Sequence, residues 1–404
     1  MSNKFTARNI LNSKGGQAVE VELENDFGLF RASSPSGIST GRQEAKEIGP
    51  QKAVENVKKI IAPALEKEDL TDQKKVDEIL IELDGTNDKS RLGTNAILPV
   101  SIAVCRAGSA AKKTPLWRYL SEIAGLESPL ILPRPSFNLI EGGRHSDSGL
   151  AFQEFMISPS KTSFQENLIS YQEVYQKLKD ILAERFKRVE LSAEGAWSVP
   201  VNSARAALDL ILEAFSGKTI EIAIDAAAAS FYSDGYYQIN GKIISSEELT
   251  AIYQYLAERY PIIAIEDPFF EEDFAEFAAL KRELGEKVAI FGDDLTVSNI
   301  ERIKLAQEKE ACSGLVLKPN QIGTVSETIE AAKLAKSFGW KIMVANRAGE
   351  TMDDFIADLA VGIGAEFIKA GALYPKERMA KYSRLAEIEK ELLTINININ
   401  SKIL

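Results

Sequence analysis

Gly314-Leu315-Val316-Leu317-Lys318 is a short apolar run closed by a lysine, and the pattern recurs along the C-terminal part of the chain. Further runs lie at Ile220–Ile224, Pro261–Ile265, Val288–Phe291, Lys341–Val344 and Ala365–Ile368. At or just beyond their ends stand Asp225, Glu266, Asp293, Arg347 and Lys369. With Lys318 placed among them, the six charged positions are separated by 41, 27, 25, 29 and 22 residues, mostly the length of a strand plus a helix. Amphipathic helical segments fill the intervals. In a parallel (β/α) barrel every strand end opens into the same C-terminal mouth, so this topology gathers six scattered charges into one site.

Upstream the pattern differs. Ala18–Leu23 and Leu29–Ala32 read as two strands joined by the turn residues Asn25-Asp26, with Gly28 just beyond. Helical periodicity follows over 43–67, 72–83 and 95–111. Strands followed by helices predict a small α+β domain over residues 1–130, with the barrel over 131–404 and the Pro-bearing stretch Ser128–Pro135 at the boundary. The tail Ile395-Asn396-Ile397-Asn398-Ile399-Asn400 alternates with period two and reads as a frayed or weakly paired end.

Composition narrows the partners. The net charge of −11 with no long Lys/Arg run argues against nucleic acid or an anionic membrane. Cys105 and Cys312, 207 positions apart, offer neither a disulfide framework nor a paired metal motif. The polar start MSNKFTARN lacks the core of a signal peptide, and no apolar stretch approaches a membrane span, so a soluble, cytoplasmic protein is expected.

At the mouth, Asp225, Glu266 and Asp293 come together with no His or Cys beside them. All-oxygen ligation suits a hard ion such as Mg²⁺. The alternative is that each acid caps the helix after it or pairs with a barrel lysine. Lys318 and Lys369 face the acids. A lysine becomes a general base when nearby cations destabilise its ammonium, and the chemistry this favours is proton removal beside a carboxylate. Structural ion pairing remains the other reading of both lysines.

Around these residues the sequence resembles the enolase family over nearly its whole length. Matching segments include Ser34-Pro35-Ser36-Gly37-Ile38-Ser39-Thr40-Gly41, Glu82–Thr86, Leu92–Leu98, Gln153–Ile157, Ile265-Glu266-Asp267-Pro268, Gly292–Leu295, Asn320–Thr324, Gly349-Glu350-Thr351 and Glu377–Tyr382. The resemblance implies a (β/α) barrel of enolase type with a smaller N-terminal α+β domain. It also implies a Mg²⁺-dependent hydro-lyase that interconverts 2-phosphoglycerate and phosphoenolpyruvate, acting as a homodimer. Asp225, Glu266 and Asp293 would hold one Mg²⁺, and Ser39 on a closing loop would help hold a second. Lys318 would remove the α-proton, and Lys369 would bind the substrate carboxylate. Glu194 would assist the departing hydroxyl. Gln153 and Glu154 would line the hydroxyl and metal side, Arg347 would bind phosphate, and His145, the chain's single histidine, would belong to the substrate pocket.

Departures from the family pattern cluster in that pocket. Ala193-Glu194-Gly195-Ala196 replaces an Asp-Glu-Gly-Gly, Asn346-Arg347-Ala348 replaces a His-Arg-Ser, and Ser230 replaces a Glu. Near the N-terminus Asn12–Gln17 replaces an Arg-bearing segment tied to the family's dimer contact. Two alternatives to an active enolase therefore stand: a paralogue using the same chemistry on another small acid, and a catalytically impaired binding protein.

Overall fold

A computed structural model describes residues 2–37, 41–126, 131–215 and 221–400, the stretch 395–400 by its backbone alone. Ser39, Ile220 and the Ser128-Pro129-Leu130 part of the expected boundary lie outside the described residues.

The N-terminal part is an antiparallel meander, β1 (Lys4–Leu11), β2 (Gln17–Asn25) and β3 (Gly28–Ser34). On β2 the alternation is clear from Val19 onward: Val19, Val21 and Leu23 are wholly buried while the glutamates between them turn outward. β1 does the same with Phe5 and Ala7, a strand hidden from sequence reading by its polar outer face. Helices α1 (Pro50–Asn56) and α2 (Ala62–Leu65), joined by a π-helical turn, then α3 (Gln73–Asp84) and α4 (Thr94–Ala111), follow. The first begins at Pro50 rather than near Gln43, because proline suits a first helical turn but disfavours helix in the residue before it. α4 is buried along most of its length against β2 and β3. A further helix, α5 (Leu116–Ala124), was not expected.

The barrel begins with β4 (Arg134–Glu141) and β5 (Glu154–Ile157). Helix α6 (Phe164–Arg185), the small strands β6 (Glu190–Leu191) and β7 (Trp197–Ser198), and helix α7 (Ala204–Phe215) lead to β8 (Ile222–Asp225). A small sheet of β9 (Tyr232–Ser233), β10 (Tyr236–Ile239) and β11 (Lys242–Ile244) decorates the next connection. Strands β12 (Ile262–Glu266), β13 (Ala289–Gly292), β14 (Gly314–Leu317), β15 (Lys341–Ala345) and β16 (Phe367–Lys369) then alternate with helices α8 (Ser246–Arg259), α9 (Phe274–Leu284), α10 (Ile300–Glu308), α11 (Pro319–Ile322), α12 (Val325–Ser337) and α13 (Phe355–Gly362). Pairing runs β4-β5-β8-β12-β13-β14-β15-β16, and β16 returns to β4, which closes an eight-stranded barrel.

The barrel is not wholly parallel: β5 runs against both β4 and β8. A hairpin explains this, since β4 and β5 are joined directly without a crossover helix. The final helix, α14 (Lys376–Asn400), also corrects an expectation. The alternating tail continues this helix instead of forming a frayed or paired strand; the preceding helical turns set its conformation.

Helix starts are locally encoded. Ser163 and Ser245 each accept the N–H of the residue three on, whose glutamate side chain reaches back, forming capping boxes at α6 and α8.

Candidate active site

Inside the barrel, Met156, Ala223, Ala264, Phe291, Val316, Ala345 and Phe367 form an apolar cluster separate from the main core. Strand side chains alternate faces, so a residue two positions on shares the same face. Two residues beyond Ala223, Ala264, Phe291, Val316, Ala345 and Phe367 stand Asp225, Glu266, Asp293, Lys318, Arg347 and Lys369. On β5 the count runs backward, from Met156 to Glu154, because the strand is reversed. Cross-strand register then sets Asp225 beside both Glu266 and Glu154, and Glu141 beside Glu154.

A pocket at this end is lined by Glu44, His145, Gln153, Glu154, Glu194, Asp225, Asp293, Lys318, Asn346, Arg347, Ala348 and Lys369. The structure thus brings together the described residues expected at the site, with Glu266 reached through Lys369. Ser39 is outside the described residues.

Lys369 Nζ lies 3.0 Å from Glu154, 3.2 Å from Asp225 and 2.6 Å from Glu266. Burial opposes its charge, yet these carboxylates hold it well above the ordinary lysine range. Lys318 donates to Asp293, and its proton too is held more tightly than usual, Asp293 outweighing the cost of burial. Burial acts to raise Asp293, but the Lys318 and Lys369 ammoniums bring it below the ordinary carboxylate range. Asp225 and Glu266 are shifted up, mainly by burial.

A ring of hydrogen bonds fixes Lys318. Its N–H donates to Ser298 Oγ (3.0 Å), Ser298 donates to Gln321 Oε1 (2.7 Å), and Gln321 Nε2 donates to Asp293 Oδ1 (2.8 Å). Ser298 and Gln321 were not singled out for roles in the sequence; Gln321 lay within a matching segment.

On the opposite wall, His145 Nδ1 is 3.4 Å from Glu154 and 3.8 Å from Glu194. Burial favours the neutral imidazole, but Glu194, Glu154 and Glu141 win, and its pKa is pushed up to about 9. Glu141 is pushed up to about 8 by burial and by Glu194. Sequence reading missed it, although Leu139-Ile140-Glu141 repeats the apolar-then-charged signature of the other strands. Gln153 donates to Asp225 Oδ2 at 3.2 Å.

The third wall is cationic. Arg347 meets Glu44 through both terminal nitrogens (2.8 and 3.2 Å) and donates to Asn320 Oδ1 (3.1 Å). Asn346 turns its amide onto the Arg347 carbonyl (3.0 Å), and Ala348 presents a methyl group. Glu44, 303 residues away in sequence, carried no signal of its own.

The residues fit a hard divalent cation. Asp225, Glu266 and Asp293 offer only carboxylate oxygens, and the buried Glu266 Oε1 has no hydrogen-bond partner. Among the described residues, the groups whose ligand atoms fall within 4.8 Å of one another are Glu141/His145/Glu154/Glu194 and Asp267/Asp293/Asp294. Asp225 and Glu266 belong to neither group and instead meet the Lys369 ammonium at 3.2 and 2.6 Å. Asp267 is engaged otherwise, accepting the N–H groups of Asp293 (2.9 Å) and Asp294 (2.7 Å).

Comparison with known proteins supplies the family. Residues 3–120 match the model "Enolase, N-terminal domain", and 129–400 match "Enolase, C-terminal TIM barrel domain". A protein of Eimeria tenella named "Enolase" is 43% identical over 422 residues, covering 96% of this chain and 95% of that protein. One of Mastigamoeba balamuthi with the same name is 43% identical over 417 residues, covering 96% and 94%. The chain belongs to the enolase family. As an enolase-type hydro-lyase it carries its acids, lysines and Arg347 at the C-terminal mouth of the barrel, where that architecture places chemistry.

Proposed function

We propose that the protein interconverts 2-phosphoglycerate and phosphoenolpyruvate with the help of Mg²⁺. The observation that carries this reading is the meeting of Lys318 and Lys369 with Glu154, Asp225, Glu266 and Asp293 in one buried mouth.

In this reading Asp225, Glu266 and Asp293 would hold one Mg²⁺, and Ser39 would help hold a second. The ions supply positive charge against the negative charge that develops on the substrate carboxylate. Lys318, which lies against Asp293, takes the α-proton at Nζ in its unprotonated form. Lys369 binds the carboxylate, Arg347 the phosphate. The C–O bond then breaks, its electrons leaving with the hydroxyl, which takes a proton from Glu194 and departs as water. His145, Glu154 and Gln153 line the side from which it leaves.

The same reading includes an α+β domain over residues 1–130 and a barrel domain over 131–404, a homodimer, a small anionic substrate and a cytoplasmic home. No helix among the described residues is long and apolar enough to cross a membrane.

A second reading, a different small acid as substrate, draws on the cationic wall. Asn346 is folded onto backbone, and Ala348 offers no hydroxyl. The experiment is phosphoenolpyruvate formation from 2-phosphoglycerate with and without Mg²⁺, beside Lys318→Ala. Mg²⁺-dependent product absent from the variant supports the first reading; no product from a Mg²⁺-binding wild type supports the second.

A further inference from the structure

Arg378, in the first turn of α14, has no exposed surface. Its Nη1 lies 3.0 Å from Glu194 Oε2, an ion pair without a well-directed hydrogen bond. Its Nη2 donates to the Ala348 carbonyl at 3.0 Å. The guanidinium therefore touches both walls of the pocket that depart from the family pattern, the Glu194 loop and the Arg347 loop.

The surroundings fix it in place. A Cβ on Gly371, whose φ is +81°, would meet the Arg378 side chain, so glycine there makes room for it. Tyr382, one turn further along α14, donates to the Gly371 carbonyl (2.9 Å) and accepts the Ala370 N–H (3.2 Å). The Glu194 carbonyl accepts the Ala372 N–H (3.2 Å), so backbone and side chain of Glu194 are held from the same segment. With Oε2 taken by Arg378, Oε1 faces His145.

We infer that Arg378 is a positioning residue, which aims Glu194 at the departing hydroxyl and ties its loop to the loop bearing Arg347. This rests on the function proposed above. Because Arg378 touches neither Lys318 nor the acids around Lys369, it acts on C–O cleavage and not on α-proton removal.

The test separates those steps. Turnover of 2-phosphoglycerate is measured beside exchange of its α-hydrogen with D₂O, for wild type, Arg378→Met and Arg378→Lys. In Arg378→Met turnover is expected to fall about 100-fold, the scale of a lost general acid, while exchange changes less than about 3-fold. Arg378→Lys, which keeps the charge but not the fork, is expected to lose less turnover. Equal loss of turnover and exchange, or loss of neither, overturns the inference. If Arg378→Met does not fold, Arg378→Lys is judged by the same split. A wild type inert in both assays defeats the functional reading instead. The tie is then read from melting of Arg378→Lys, Glu194→Gln and the double variant, where strictly additive losses overturn it and coupling supports it.

Discussion

Glu154, the first residue of β5, stands in register opposite Asp225, the last residue of β8, because the two strands run antiparallel. A strand start is thereby delivered to the mouth where all other barrel strands deliver their ends. Glu154 then shares Lys369 with Asp225 and faces His145 on its other oxygen.

Glu154→Gln removes a carboxylate from both cations. Turnover is expected to drop about 100-fold, the scale of misplacing a substrate-side group, because Glu154 holds both Lys369 and His145. The single histidine gives a clean second readout. In metal-free protein the imidazole is expected to titrate at about 9 by NMR, and lower in the variant. A raised histidine pKa adds stability that is complete below about pH 6.5 and disappears as pH rises through the folded value.

Magnesium is expected to raise the melting temperature of wild type. At a hundredfold excess over its Kd a single site contributes about 2.7 kcal/mol. Asp293→Asn and Glu266→Gln are each expected to abolish most of that shift. A shift unchanged in both would mean the ion binds elsewhere.

Arg106 of α4 grips the barrel through Asp353 (2.7 and 3.0 Å) and Asp354 (2.9 Å), and Asp353 also accepts the Ser33 N–H of β3. Burial would raise Asp353, but the guanidinium brings its pKa below the usual value. A depressed carboxylate pKa gives stability that is complete above the unfolded value, about 3.9, and lost as pH falls through the folded one. Asp353→Asn is expected to cost about 3 kcal/mol at neutral pH by leaving Arg106 without its main buried partner. Urea melts should show the gap to wild type closing in acid.

Gly195 follows Glu194 with φ +85°, and a Cβ there would overlap the Tyr374 carbonyl oxygen. Gly195→Ala is expected to cost about 2 kcal/mol from backbone strain and to lower turnover by moving Glu194. Full activity in that variant would show that the loop has room to adjust.

The parts of this site legible in the sequence are those built by short-range rules. An interior apolar residue followed two positions later by a charge marks a barrel strand end, which is why Asp225, Glu266, Lys318 and Lys369 stood out. β4 hid because its inward residues Ser136 and Asn138 are polar, and Glu141 went unnoticed with it. β5 hid because the rule runs backward along a reversed strand. Glu44 and Arg378 reach the site by tertiary contact alone, with no local spacing to announce them. The tail shows the opposite failure: a clear period of two was overruled by the helix that precedes it.

Lys381, one turn beyond Arg378, buries its ammonium against Glu350 (2.5 Å) and the Thr351 carbonyl (2.6 Å), and Glu350 accepts the Arg347 N–H. Both cations sit in α14, which is synthesised after every barrel strand. The eight strands by themselves therefore leave Glu194 and Glu350 without these buried counterions. The sheet makes the barrel, but the pocket is braced from outside it, by a helix that contributes no strand.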